Sequence, residues 1–289
     1  MTFPGFRGLG LVAVIKRSIN DFLEDDMLTH ASALAFQALF SIFPFVLFML
    51  ALLGFLQLTS FIEWLQMTAL SVLPGEAAGI VNGVVEGLQK QDAGLLSFGV
   101  VVALWTASAA VRVIMHATNR AFAVKERRPA WKLYPLSVLY TIGLAAMLIV
   151  AALMLNLGPM GMEWIAAQVG LRSTFVAAWP WLRWPAAFLL LILAASLLYY
   201  VAPNCKQDFR LITPGAILAI SVWVLATLGF KYYVTNFANY NAMYGSIGAI
   251  IGMLFYFFIS SAVLLFGAEV NAVIQRNAPE LGDARQQDP

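Results

Sequence analysis

Long apolar runs limit the possible folds of this chain more than any other feature. Six of them have about 18 or more residues, enough for a helix to cross about 30 Å of hydrocarbon. Backbone groups in lipid must be satisfied internally, so helices or a closed barrel are the options, and the runs lack period-two alternation. We predict an all-α integral membrane protein with a six-transmembrane-helix bundle, its spans being Ala31 to Leu58, Leu95 to Thr118, Leu136 to Leu157, Trp184 to Val201, Ile212 to Phe230 and Ile247 to Ile274.

Polar segments flank the predicted membrane domain, which takes residues 30–274. Residues 1–29 are predicted to be a cytoplasmic amphipathic segment without a cleavable signal peptide, and residues 275–289 a flexible cytoplasmic tail. A helical projection of the first segment separates an apolar face from a polar one, which indicates a helix lying on the membrane surface. The apolar face carries Leu11, Ile15, Ile19 and Phe22, and the polar face Arg17, Asn20 and Glu24.

Basic residues are distributed unequally between the two sides of the predicted bundle. Six spans place both termini on one side, together with 12 of the 17 Lys and Arg residues, while the other side holds four. Only Arg112 falls inside a span. Because cytoplasmic loops are enriched in Lys and Arg, both termini are predicted to be cytoplasmic.

The predicted external connections contain helical stretches too short to cross the membrane. Residues 59–94 and 159–183 are predicted to form interfacial or re-entrant helices, which serve either as aromatic-anchored packing or as a substrate gate. Pro44 predicts a kink in the first span. Small-residue spacing predicts close helix packing at Gly79, Gly83, Gly87, Gly245, Gly248 and Gly252, within one chain or between chains of a homo-oligomer.

Polar residues inside the spans define a candidate site. Arg112 and Glu269 lie about 25 and 33 Å from the external ends of their spans, so both fall in the cytoplasmic half. Intramembrane charges of this kind are functional candidates by default. The alternative is that Arg112 extends to lipid headgroups while Glu269 caps the bundle or pairs with Arg112 for assembly. The predicted cavity is lined by His30, Gln37, Ser41, Ser108, Arg112, His116, Asn119 and Glu269.

Enzyme signatures are missing from the sequence. It contains no P-loop, GxSxG or HExxH motif, and its histidines are His30 and His116 alone. The acidic group at Asp21, Glu24, Asp25 and Asp26 is interpreted as a solvated helix face rather than a metal site. We therefore expect no catalytic residues, no metal, no cofactor and no nucleic-acid partner. The basic loop from Arg120 to Lys132 is expected to meet anionic membrane lipids.

Several motifs in order resemble the YihY/virulence factor BrkB family. They are His30-Ala-Ser-Ala-Leu-Ala-Phe with Ser41-Ile-Phe-Pro, Trp105 with Asn119-Arg-Ala-Phe, Leu198-Tyr with Ala202-Pro, Tyr244-Gly-Ser-Ile-Gly-Ala, and Gly267-Ala-Glu-Val-Asn. The resemblance implies a bacterial inner-membrane protein with six spans. It implies no settled activity, since members have been labelled ribonuclease BN or linked to serum resistance or to envelope lipid export.

Three functions are compatible with these features. A transporter or flippase for a lipid or other amphiphilic envelope component would use the polar cavity for a headgroup, with Glu269 and the histidines as candidate proton carriers. A non-transporting envelope scaffold would need only packing surfaces. A membrane-bound ribonuclease, the least favoured, would need the acidic group.

Overall fold

The computed structural model describes residues 10–55, 93–169, 172–205, 207, 210–237 and 241–277. In these ranges the secondary structure is helical, with seven α-helices and no strand. The predicted all-α class is confirmed for this part of the chain. The helices are α1 (Leu11–Glu24), α2 (Met27–Phe55), α3 (Ala93–Ala121), α4 (Ala130–Val169), α5 (Arg172–Val201), α6 (Pro214–Phe237) and α7 (Asn241–Arg276).

Five of these helices are long and apolar enough to cross a membrane, with mean hydropathies between 1.7 and 2.2. They carry many exposed large apolar side chains, such as Leu225 and Phe255, as lipid-facing surfaces do. The chain is therefore a multi-pass membrane protein. The first predicted span falls on α2, of which Met27–Ile42 is a shorter apolar stretch. The five spans are Ser97–Ala121, Ala130–Ala151, Trp181–Val201, Pro214–Thr235 and Ile250–Arg276.

The helices are distributed over two compact units. The larger comprises residues 1–36 and 108–289, and the smaller residues 37–107. In the larger unit α4 packs against α5, α6 against α7, and α1 against α7. The division of the chain into residues 1–29, 30–274 and 275–289 stays a prediction.

The second external connection differs from its prediction. Residues 159–169 continue α4, which is 40 residues long, and residues 172–183 open α5. They are extensions of two long helices instead of separate interfacial helices, in line with the many strong helix formers in residues 160–169. The first connection, residues 59–94, lies almost wholly outside the described residues, and so do Gly79, Gly83 and Gly87.

Helix α1 packs on α7 through a face that only partly overlaps its predicted apolar face. Val14, Ser18 and Phe22 are buried, and the Phe22 ring meets Phe266 of α7 edge to face at 5.8 Å. Of the four residues in the predicted apolar face, only Phe22 is buried, while Leu11 and Ile19 are exposed. One side of α1 is therefore covered by α7, and the membrane-surface position of its other apolar residues stays a prediction.

The close helix approach in the described residues lies at Gly215 of α6 and Gly267 of α7. A Cβ at Gly267 would lie 2.5 Å from the Tyr199 hydroxyl and 2.6 Å from the Gly215 carbonyl oxygen. A Cβ at Gly215 would collide with the Gly267 carbonyl oxygen. The predicted packing residue Gly252 instead faces open space, since a methyl group added there would have no neighbouring atom within 4 Å. Gly245 and Gly248 lie in α7, and Pro44 lies inside α2.

Candidate functional site

Arg112 sits between α3 and α4, deep in a membrane-spanning helix. Its Nη1 donates hydrogen bonds to Ser108 Oγ at 2.8 Å and to Ser137 Oγ at 3.1 Å. The guanidinium carbon also lies 4.5 Å from the centroid of the Tyr134 ring. Both serines are fully buried, whereas Arg112 is half-buried. Hydroxyl acceptors and an aromatic face thus hold one edge of the guanidinium in a fixed orientation.

Glu269 belongs to a different cluster, at the contact between α1 and α7. Its Oε1 accepts a hydrogen bond from Arg276 Nη2 at 2.9 Å, and the same nitrogen donates to Asp21 Oδ2 at 2.6 Å. Glu269 is completely buried, while the Arg276 and Asp21 side chains are about one-fifth exposed. The Arg276 guanidinium therefore binds two carboxylates that belong to two different helices.

The structure pairs Glu269 with Arg276, whereas a pair with Arg112 was one of the alternatives that the sequence left open. Arg276 lies seven residues after Glu269, a spacing that returns to the same helix face after two turns. This i to i+7 spacing is the sequence pattern from which the pair of Glu269 and Arg276 can be predicted. The sequence does not reveal the pair by hydropathy, because Arg276 lies in the polar segment that follows the last apolar run.

Asn119 connects two loops at the end of α3. Its Nδ2 donates to Glu126 Oε2 at 2.8 Å, and its Oδ1 accepts from the Asn204 backbone N–H at 2.6 Å. Glu126 also accepts two side-chain bonds from Arg128, whose Nη2 reaches the Ala202 carbonyl oxygen at 2.8 Å. Asn119 is among the residues predicted to line the cavity. Its side chain is 4% exposed, and both its amide nitrogen and its amide oxygen form hydrogen bonds that join the α3 to α4 and α5 to α6 loops.

Burial alone would raise the pKa of the Glu126 carboxyl, but hydrogen bonds from Arg128 and Asn119 outweigh it and hold that pKa below its ordinary value. Glu126 is therefore ionised in the loop junction at neutral pH. No sequence motif marks this junction, because its partners are 74 to 85 residues apart.

The remaining predicted cavity residues fall in different places. His30 is half-buried and lies within electrostatic range of Arg120 and His116, but His116 itself is exposed. In the smaller unit Gln37 donates to the Thr106 carbonyl oxygen at 2.9 Å, and Ser41 donates to the Gln37 carbonyl oxygen at 2.7 Å. The structure brings Ser108 into contact with Arg112 and places His30 within electrostatic range of His116. A single cavity containing all eight residues stays a prediction.

A small cavity of about 50 Å³ lies where α5, α6 and α7 meet. Asn271 organises its wall, because its side chain accepts from the Gly215 backbone N–H at 2.9 Å and donates to Thr213 Oγ1 at 3.0 Å. The volume is close to that of one or two water molecules. The lining residues are Tyr199, Tyr200, Gln207, Arg210, Thr213, Pro214, Asn271, Ile274 and Gln275.

Comparison with known proteins places the chain in a family. The model of the family described as Virulence factor BrkB matches residues 18–289. The chain belongs to this family. The ribonuclease-like protein YfkH of Bacillus subtilis is 34% identical over 249 residues, which cover 86% of the chain and 90% of YfkH.

Relatives described only as UPF0761 membrane proteins match the BrkB-family chain more distantly. One from Chromohalobacter salexigens is 29% identical over 90% of the chain and 64% of its own length. Another from Pseudoalteromonas atlantica is 25% identical over 90% of the chain and 85% of its own length. The chain thus spans somewhat less than two thirds of the Chromohalobacter protein. No solved structure matches the chain.

Proposed function

We propose that this BrkB-family protein is a transporter or flippase that binds the anionic headgroup of a lipid or other amphiphilic envelope component at Arg112. The observation that carries the proposal is a guanidinium oriented by Ser108 and Ser137 deep in a membrane-spanning helix. Arg112 lies nine residues before Ala121, the last residue of its span, or about 14 Å along the helix. An ionisable residue at this depth is expensive and is usually retained for function.

The chemistry of Arg112 suits a phosphate or carboxylate headgroup. A planar guanidinium binds such groups with two parallel hydrogen bonds, and one nitrogen of Arg112 is already fixed by the two serine hydroxyls. Tyr134 is 40% exposed beside it, so the aromatic face opens towards the surface of the larger unit. An apolar chain would stay in the bilayer while its headgroup reached Arg112 from the side.

The proposal includes six spans in a bacterial inner membrane with both termini in the cytoplasm. Contacts in the larger unit support this topology, because they join the segments assigned to one side by their basic residues. Arg276 at the end of α7 meets Asp21 of α1, Arg120 at the end of α3 meets Asp25 at 3.4 Å, and Arg128 meets the end of α5. The sixth span is α2, which at 29 residues is about 44 Å long.

The test is lipid translocation in vesicles that contain purified protein and fluorescent anionic phospholipid. We expect Arg112→Gln to lower the translocation rate at least tenfold. Arg183→Gln is the matched control, because Arg183 also lies against an aromatic ring, Trp184 at 5.6 Å, but near the end of its span. Wild-type rates in both variants would refute the role of Arg112.

A non-transporting scaffold is the second candidate, and one observation favours it. Several polar residues of the candidate site are used in internal contacts, as Asn119 and Glu269 are, and the cavity between α5, α6 and α7 is too small for a lipid headgroup. A wild-type protein that moves no lipid with or without an ion gradient would support the scaffold. Membrane lipids are the proposed partners in either case, with self-association open to measurement.

A ribonuclease is the least favoured candidate, despite the name of YfkH. Asp21 and Asp25 bind different arginines, and Asp26 accepts from Thr29 Oγ1, so the three carboxylates do not converge. Among the described residues no three His, Cys, Asp or Glu side chains are placed to hold a metal ion. RNA cleavage by purified protein that is lost on replacing Asp21, Asp25 and Asp26 with Asn would reverse this ranking.

A further inference from the structure

The burial of Glu269 is only partly compensated by its hydrogen bonds. Glu269 is completely buried, and its second carboxylate oxygen, Oε2, has no hydrogen-bond partner. A buried ionised carboxylate is stable only when its charge is paired and its lone pairs are satisfied. Here the pairing reaches Oε1 alone.

The counter-charge available to Glu269 is shared. Arg276 Nη2 lies 2.9 Å from Glu269 and 2.6 Å from Asp21, and Arg276 Nε is itself buried without a partner. Two carboxylates against one guanidinium leave one excess negative charge among Asp21, Glu269 and Arg276. A proton bound within this cluster would remove that excess.

A neutral hydroxyl lies on the facing surface of α1. Ser18 is fully buried and its Oγ has no partner. It lies one turn from Val14, which packs with Val270 and Val273, and one turn from Phe22, which meets Phe266. Ser18 therefore lies on the side of α1 that faces the turn of α7 carrying Glu269, and one water molecule could bridge its oxygen to a protonated Oε2.

The groups around Glu269 come from each element packed at this contact. Asp21 and Arg17 belong to α1, and Asp25 follows α1 and is bound by Arg120 of α3. His30 of α2 lies within electrostatic range of Asp25 and Asp26. From α5, the Tyr199 hydroxyl donates a hydrogen bond to the Leu264 carbonyl oxygen. Helices α6 and α7 are joined by hydrogen bonds between uncharged side chains, Trp223 with Ser260 and Thr227 with Tyr256.

We propose that Glu269 is a reversible proton-binding site at the contact of α1 and α7. The proton adds to Oε2 and forms an O–H bond there. Glu269 becomes neutral, and Arg276 is left to its ion pair with Asp21. Loss of the proton restores the shared arrangement. Proton binding at Glu269 requires no transported substrate, so this proposal does not depend on the proposed lipid binding at Arg112.

The test is a pH titration of purified protein in lipid nanodiscs, followed through the infrared carbonyl band of a protonated carboxylic acid. We expect one buried acid to titrate, and its band to be lost in Glu269→Gln. Glu126→Gln is the matched control and keeps the band, because both Glu126 oxygens are already hydrogen-bonded. A wild-type protein without the band, or a Glu269→Gln variant that retains it, overturns the proposal.

Asp21→Asn keeps the proposal testable if Glu269→Gln does not fold. Without Asp21, Arg276 serves Glu269 alone and a neighbouring negative charge is removed, so the ionised form of Glu269 is favoured. We expect the midpoint of the band to move to lower pH by about 1 unit. An unchanged midpoint, or a move to higher pH, would show that Arg276 and Asp21 do not control the site.

Discussion

The approach of α6 and α7 at Gly267 gives the most quantitative prediction, the effect of Gly267→Ala. The added methyl group would lie 2.5 Å from the Tyr199 hydroxyl, 2.6 Å from Ala219 Cβ and 2.6 Å from the Gly215 carbonyl oxygen. Two of these neighbours are a backbone atom and a Cβ, which move only with their helix. The third, the Tyr199 hydroxyl, is buried and donates to the Leu264 carbonyl oxygen at 2.6 Å.

The expected cost follows from these contacts. Inserting a methyl group into a packed interior costs about 1–3 kcal/mol, and displacing the buried Tyr199 hydroxyl from its acceptor costs about 1–3 kcal/mol more. The higher helix propensity of alanine returns about 1 kcal/mol. We expect Gly267→Ala to lower the free energy of unfolding by about 3 kcal/mol.

Equilibrium unfolding in mixed detergent micelles measures this difference. Gly252→Ala is the matched control, since it is the same substitution in the same helix at a position that faces open space, and we expect a gain of up to about 1 kcal/mol. Tyr199→Phe removes one colliding atom, so the cost of Gly267→Ala should be about 1 kcal/mol smaller in that background. Equal stabilities of the two alanine variants would refute the close approach.

Three further predictions concern the junction of the α3 to α4 and α5 to α6 loops. Asn119→Ala removes the acceptor of the Asn204 backbone N–H and should lower the free energy of unfolding by about 2 kcal/mol, measured by thermal or detergent unfolding. The pKa of Glu126 in the folded protein is lowered from 4.5, so its contribution to stability should be complete above pH 4.5. That contribution should be lost as the pH falls through the pKa of the folded state. Glu126→Gln should therefore make the free energy of unfolding depend less on pH in the acid range. Burial raises the pKa of the Cys205 thiol against the opposing effects of Gln207 and Arg128, so alkylation by iodoacetamide near pH 8 should be slower than that of an unfolded control. Unchanged stability, an unchanged pH dependence in the acid range or an unprotected thiol would contradict the respective prediction.

The membrane-spanning helices could be predicted from the sequence because their signal is local. A run of apolar residues must form a helix to satisfy its backbone in lipid. Four spans agree with their predicted positions to within five residues, whereas the span in α4, Ala130–Ala151, lies six residues earlier than predicted. The extent of α4 could not be read in the same way. Hydropathy marks where lipid ends, whereas the helix continues as long as its residues favour helical backbone.

Helix contacts were harder to predict than helices. The spacing of Gly248 and Gly252 predicts a packing stripe, yet a methyl group at Gly252 would meet nothing, while Gly215 and Gly267 approach each other closely without any paired-glycine motif. A small residue permits a close contact but does not specify the partner. The partner is determined by the register of two helices, which depends on contacts such as that of Asn271 with Gly215.

The two charges in the spans show why depth alone does not assign a role. The sequence predicts similar depths for Arg112 and Glu269, which is compatible with a direct ion pair between them. The structure instead gives Glu269 a partner on its own helix, Arg276, which it shares with Asp21 of α1. Arg112 has two hydroxyls and an aromatic ring on α3 and α4. The two sites should therefore respond separately. Glu269→Gln should change the proton titration and the docking of α1 while the proposed lipid binding at Arg112 is retained, and Arg112→Gln should do the reverse. A double variant whose effects exceed the sum of the single effects would show that the two clusters act as one site.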